Sequence, residues 1–149
     1  MPDVNLTQFE ADALLAMPKV RENDTIHLFP VGGSGLIVPL MAEDRTENFL
    51  LDISRGRIDL QKAKYQNRGR QIVVLARLDL HGAPHRNPDD VEVPCPHLHV
   101  YREGYGDKWA VPAPISSFPA PHDLWQSLQD FMAFCHIVEQ PHIDRGLLV

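Results

Sequence analysis

Residues 71–80, QIVVLARLDL, constrain the fold more than any other part of the chain. The segment holds no glycine or proline and reads as a strand. Side chains of a strand alternate between two faces. Ile72, Val74, Ala76, Leu78 and Leu80 then share one face, and Val73, Leu75, Arg77 and Asp79 the other. The first face is wholly apolar and the second half polar. Such a strand belongs inside a sheet, with one face in the core and the other partly solvated.

The flanking chain supplies partners. Residues 48–53 are apolar and strand-like, and Ser54-Arg55-Gly56-Arg57 is a turn. Residues 58–66 fit a short helix or a strand, and the strands on either side favour strand. Ile58, Leu60, Lys62 and Lys64 would share one face, and Asp59, Gln61, Ala63 and Tyr65 the other. Asn67-Arg68-Gly69 is a hairpin turn signal. Upstream, residues 25–30 and 36–41 read as strands joined by the turn Val31-Gly32-Gly33-Ser34-Gly35. That turn lacks the Lys-Ser/Thr ending of a phosphate-binding loop, so a tight hairpin is expected.

Helices frame these strands. Thr7 and Glu10 have capping-box spacing. Phe9, Ala13, Ala16 and Met17 follow at i, i+4, i+7 and i+8, which predicts a helix over 8–17 stopped by Pro18. Asp123 is an N-cap candidate. Leu124, Leu128, Phe131, Met132 and Cys135 form the apolar stripe of an amphipathic helix that packs on the sheet. The apolar tail after Pro141 either tucks into the core or pairs with a partner, a second copy of the chain included. The expected fold is α+β: a curved, mainly antiparallel sheet or partial barrel flanked by an N-terminal and a C-terminal helix.

Composition sets outer bounds. The 149 residues suit one domain, 1–149, large enough to bury a core without metal or disulfide. No apolar run reaches bilayer length and no leader precedes the first helix, so no membrane association is expected. Cys95 and Cys135 lie far apart without metal-ligand spacing. They read as reduced, buried thiols of a cytoplasmic protein.

The net charge of -6 excludes a protein that coats nucleic acid over its whole surface. Its distribution is uneven. Residues 55–77 hold Arg55, Arg57, Lys62, Lys64, Arg68, Arg70 and Arg77 against Asp59, a local balance of +6 that leaves -12 on the rest. A basic strip on an acidic chain points to a local anionic partner. The plainer account is a solvated strand pair with charged edges.

The chemistry concentrates between Pro94 and Pro112, PCPHLHVYREGYGDKWAVP, after a loop over 81–96 that carries four prolines. Long ordered loops are often functional. With 97–102 as a strand, His97, His99 and Tyr101 share a face, and Leu98 and Val100 enter the core. A returning strand over 108–112 places Lys108 opposite Tyr101, Trp109 opposite Val100 and Ala110 opposite His99, with Trp109 and Val111 in the core. Arg77 joins the polar face if 71–80 lies alongside.

Three readings fit this constellation. In the first, His97 or His99 is base or acid in metal-independent RNA cleavage, and Tyr101 assists. Lys108 and Arg77 balance charge on phosphorus. Arg55, Arg57, Lys62, Lys64, Arg68, Arg70 and Arg102 would hold the backbone of RNA or another phosphate-bearing ligand, and Tyr65 or Tyr105 would stack a base. No cofactor is then expected. In the second, His97 and His99 begin a metal site, with Glu103 at the internal spacing of a cupin ligand set but without that motif's flanking glycines. His81, His85 or Asp79 would supply a third ligand. In the third, the cluster is structural and the protein is a non-catalytic, inhibitor-like binder of another protein.

Three segments, LDISRGRIDLQKAKYQNRGR, LARLDLHGAPHRNPDD and PHLHVYREGYGDKWA, resemble an uncharacterised family of small bacterial and phage proteins. The resemblance runs from about Phe49 to Pro141. It implies no established activity. It implies that His97, His99 and Tyr101 act as one motif, and that the setting is a defence, toxin–antitoxin or mobile-element system.

Overall fold

A computed structural model describes residues 5–146. Helix α1 spans Gln8–Ala16. Its capping box is formed: Thr7 Oγ1 accepts from the Glu10 amide, and Glu10 Oε1 accepts from the Thr7 amide. Helix α2 spans Leu124–Phe134, with the Asp123 carboxylate accepting from the Gln126 amide.

Lys19, fully buried, ties the ends of the two helices together. Its ammonium donates to the carbonyls of Leu15, Met17 and Cys135 at 2.9, 3.0 and 2.8 Å. Terminal helix carbonyls lack partners within their own helix. One side chain meets that need for both helices and lies 4.7 Å from the Phe49 ring centroid.

The strands in chain order are β1 (Lys19–Arg21), β2 (Ile26–Leu28), β3 (Gly35–Ala42), β4 (Asn48–Arg55), β5 (Ala63–Gly69) and β6 (Val73–Leu80). There follow β7 (His85–Arg86), β8 (Glu92–Val93), β9 (His97–Val100), β10 (Ala110–Pro112), β11 (Ile137–Glu139) and β12 (His142–Asp144). Eight of them form one open sheet in the order β10-β9-β6-β5-β4-β3-β1-β11. Every pairing in it is antiparallel except β1 with β11. The α+β expectation holds, and β6 lies inside the sheet as its pattern requires.

Both helices cover one face. The Tyr65 ring packs on Phe131, and Leu14 reaches Gly69 beside Leu75 and Phe49. No helix among the described residues is long and apolar enough to cross a membrane.

Five expectations change. The hairpin through 31–35 does not form: β3 pairs with β4 and β1, while β2 pairs in parallel with β12. Ile26 and Leu28, which share a face of β2, are exposed, so that face packs into no core. The start of the tail is therefore paired within the chain, and residues 147–149 lie outside the described residues.

Residues 56–62 fold back as a loop instead of continuing a strand. The Gly56 amide donates to the Lys62 carbonyl, and the Arg55 guanidinium donates to the Leu60 carbonyl. Ile58 is left 96% exposed. Asn67-Arg68-Gly69 lies within β5. The turn is the three-residue loop Arg70-Gln71-Ile72 between the paired Gly69 and Val73, with positive φ at Arg70 and Gln71 (48° and 69°).

A β-bulge breaks the alternation of β6. Arg68 pairs with Val74 and Asn67 with Ala76, which leaves Leu75 as an extra residue. Val73, Leu75, Ala76, Leu78 and Leu80 are consequently all buried. Beyond the bulge, Arg77 and Asp79 occupy the face away from the helices. Finally, Val111 is 52% exposed and not core.

Candidate functional site

The outer face of the sheet carries the histidines. β9 runs antiparallel to β6, with His97 beside Asp79 and His99 beside Arg77. Across β9, Ala110 pairs with His99, the register read from the sequence. On the far side, Lys64 pairs with Asp79 and Gln66 with Arg77. Polar rows thus cross β9, β6 and β5.

The loop over 81–96 covers this face. Its small β7–β8 hairpin places the His85 ring 4.5 Å from the His99 ring and 5.8 Å from the His97 ring. His85 Nε2 lies 2.7 Å from the Lys108 carbonyl. The Asn87 side chain bonds both the amide and the carbonyl of Ala110. Under this cover His97 is 2% and His99 0% exposed.

Asp79 is the hub. Its Oδ1 accepts from Arg77 Nε at 2.9 Å, and its Oδ2 lies 2.9 Å from His97 Nε2 and 3.5 Å from His99 Nε2. Burial alone would raise the Asp79 carboxyl. The His99 contact and the charge of Arg77 outweigh that and hold it far below the usual carboxylate range. Burial pushes the His97 imidazole below its ordinary value, against the pull of Asp79. His99 Nδ1 faces the Asp107 carbonyl at 2.7 Å, and Arg77 also pairs with the Asp107 carboxylate.

Asp79, His97 and His99 offer ligand atoms within 4.8 Å of one another, the spacing of a metal set. Arg77 already fills that position. Its Nη2 stands 3.0 Å from His99 Nε2 and 3.3 Å from Asp79 Oδ2. A metal cation there would meet a permanent guanidinium charge at contact distance, so these residues do not fit a metal. Glu103 turns away and accepts from the Gln8 amide at 2.7 Å.

Two members of the expected motif are elsewhere. Tyr101 lies past the end of β9, in the core. Its hydroxyl donates to the Leu6 carbonyl and accepts from the Leu6 amide. The bulge in β6 accounts for this: the Tyr101 amide bonds to the carbonyl of Leu75, the extra residue, where the regular face has ended. Lys108 is exposed and gives the cluster its carbonyl, not its ammonium. Trp109 is partly buried between Arg102, 4.2 Å away, and Tyr105.

The basic strip divides. Arg68 forms a two-point ion pair with Asp52, Arg70 pairs with Glu47 and Glu10, and Arg77 with Asp79 and Asp107. Arg102 lies on the turn after β9, stacked on Trp109. Tyr65 is fully buried and donates to the Leu124 carbonyl, so it cannot stack a base. Arg55 holds the 56–62 loop.

Among the described residues, Arg57, Lys62 and Lys64 enter no ion pair. They line a hollow of about 490 Å³ with Ser54, Arg55 and Asp59. Lys62 and Lys64 also border a hollow of about 120 Å³ that reaches Asp79, Gly82 and Cys95. A third depression joins Lys62, Asp59, His81 and Cys95. The three share Lys62 in their lining, so the groove along the basic loop ends beside Asp79 and Cys95.

Cys95 is the residue the sequence reading set aside. Its Sγ lies 3.4 Å from His97 Nδ1, and it is half-buried, not enclosed. The Cys-x-His spacing before β9 was the available signal.

A family model, described as a family of unknown function, matches residues 6–137. No curated protein matches the chain, and no solved structure does.

Proposed function

The chain belongs to that family of unknown function, DUF6978, and from this premise we propose that it binds RNA or another phosphate-bearing ligand along the groove lined by Arg57, Lys62 and Lys64. One observation carries the reading. These three cations line one concavity and form no ion pair, its carboxylate Asp59 being held by His81, while their neighbours Arg68, Arg70 and Arg77 are neutralised within the fold. Unpaired cations around a concavity favour an anionic ligand.

Cleavage by a pair of histidines has less support. General acid–base work on a 2′-hydroxyl needs an imidazole nitrogen within reach of substrate. The nitrogens of His97 face Asp79 and Cys95, and those of His99 face Arg77 and Asp107. Binding is therefore the reading adopted. The defence or mobile-element setting rests on the family resemblance alone.

The test is binding of fluorescein-labelled single-stranded and structured RNA in EDTA at low salt, with gels to reveal cleavage. Wild type and Arg102→Gln should bind alike, and Lys62→Glu/Lys64→Glu should not bind. Equal binding by the double variant, or none by wild type, overturns the proposal.

A further inference from the structure

The structure assigns Cys95, His97 and Asp79 to a nucleophilic thiol triad at the inner end of the groove, acting on an acyl ester whose alcohol part carries a phosphate. The assignment of the phosphate rests on the proposed ligand groove; the triad itself rests on its own geometry.

Three contacts make the relay. Cys95 Sγ lies 3.4 Å from His97 Nδ1, and His97 Nε2 lies 2.9 Å from Asp79 Oδ2. A carboxylate only accepts, so Nε2 carries the hydrogen and Nδ1 turns its lone pair to the thiol. The Ala83 carbonyl is a weaker neighbour of the sulfur, at 3.7 Å. Asp79 is fixed by Arg77 and cannot rotate away. This is nucleophile, base and orienting group in sequence. The sulfur, unlike the histidines, borders the groove.

The resting state suits such a relay. Burial raises the Cys95 thiol, opposed in part by the backbone amides of Gly82 and His97. Burial also lowers His97, which favours its neutral, proton-accepting form. The thiol stays protonated until the imidazole takes its hydrogen.

The groove selects the substrate class. The Asp79 carboxylate borders the same small hollow as the sulfur, so a phosphoryl group placed for attack would meet a negative charge. A neutral carbonyl carbon would not. Lys62 and Lys64 line the same hollow, suited to a phosphate one group further along. In the first half-reaction Sγ bonds to the carbonyl carbon while its proton passes to His97 Nδ1. The ester C–O bond then breaks, and the alcohol leaves with that proton. In the second half-reaction water gives a proton to His97 and its oxygen bonds to the carbonyl carbon. The C–S bond breaks, and the sulfur regains the proton.

The probes are phenyl acetate and 4-acetoxyphenyl phosphate, with peptide mass spectrometry of Cys95 and release of the phenol as readouts. Wild type should become acetylated at Cys95. Cys95→Ser should lose turnover, and His97→Gln should slow acylation by about 100-fold or more. Lys62→Ala should raise KM for the phosphorylated ester more than for phenyl acetate. Because His97 is buried, Asp79→Asn and Cys95→Ser are run beside it with a thermal melt, and a folded Cys95→Ser protein is the deciding variant. Wild-type turnover by folded Cys95→Ser, or an unmodified Cys95 with both esters, overturns the triad. RNA binding without acylation would remove the triad and leave the groove. Acylation by phenyl acetate without RNA binding would keep the triad and remove the phosphate groove.

Discussion

Asn87 and Ala110 exchange two hydrogen bonds, 2.8 Å to the carboxamide oxygen and 2.9 Å from its nitrogen. A side chain here does what a neighbouring strand would do for the edge strand β10, and so latches the loop over the histidines. Net contributions of such bonds are about 1 kcal/mol each, and a buried group left unpaired adds to the loss. Asn87→Ala should cost about 2 kcal/mol in urea unfolding. It should also speed exchange of the Ala110 amide hydrogen and of the His97 and His99 amides. Unchanged exchange at His97 and His99 would show that the loop is held by other contacts.

Lys19 gives a stability signal on the alkaline side. Burial lowers its ammonium to about 8, against about 10.4 in an unfolded chain. Between those values the unfolded state binds the extra proton, so folding stability from this group rises with pH. Lys19→Met leaves three carbonyls unanswered and should be destabilised by about 3 kcal/mol near neutrality. The gap to wild type should widen from pH 8 to pH 10. A gap that narrows over that window would show that Lys19 is not buried as described.

Asp79 acts in the opposite direction. Its folded value is depressed, so its contribution is complete above the unfolded carboxylate value and fades as pH falls below about 4. Asp79→Asn should unfold at lower urea at neutral pH and lack that acid-side component. Arg77→Met leaves the carboxylate buried without its guanidinium, a loss of about 3 kcal/mol by analogy with broken buried pairs. Acid titration of the three proteins by circular dichroism checks both statements.

The groove predicts a salt dependence. Single-stranded RNA held by three cations should show a log–log slope near about -2, at roughly 0.7 per neutralised phosphate. Lys62→Ala should reduce the slope by about one such step. Tyr65→Phe should leave both affinity and slope unchanged while costing about 1 kcal/mol of stability, because its hydroxyl serves the Leu124 carbonyl. An affinity loss in Tyr65→Phe would restore a stacking role.

What the sequence made legible was local. The capping box at Thr7, the stripe of α2 and the pairing of His99 with Ala110 depend on residues near one another in the chain, and each is found. What it concealed was long-range or a matter of one residue. The bulge at Leu75 moves by one the boundary between inward and outward side chains, which sends Tyr101 to Leu6. Strand alternation carries no mark of it. The basic count over 55–77 was correct, yet Asp52 and Asp107, which pair with Arg68 and Arg77, lie 16 and 30 positions from them, and Asp79, which also pairs with Arg77, lies just past the end of that window. Cys95 went unnoticed because two distant cysteines were weighed against each other and not against His97.

The parallel pairing of β1 with β11 has a consequence for synthesis. Lys19 must find a carbonyl 116 positions later, at Cys135. While the chain emerges from the ribosome, β1 holds an open edge and a lysine without its full set of acceptors until α2 has followed. The other strands of the sheet precede α2 in the chain, so this border cannot close until α2 and β11 have been made.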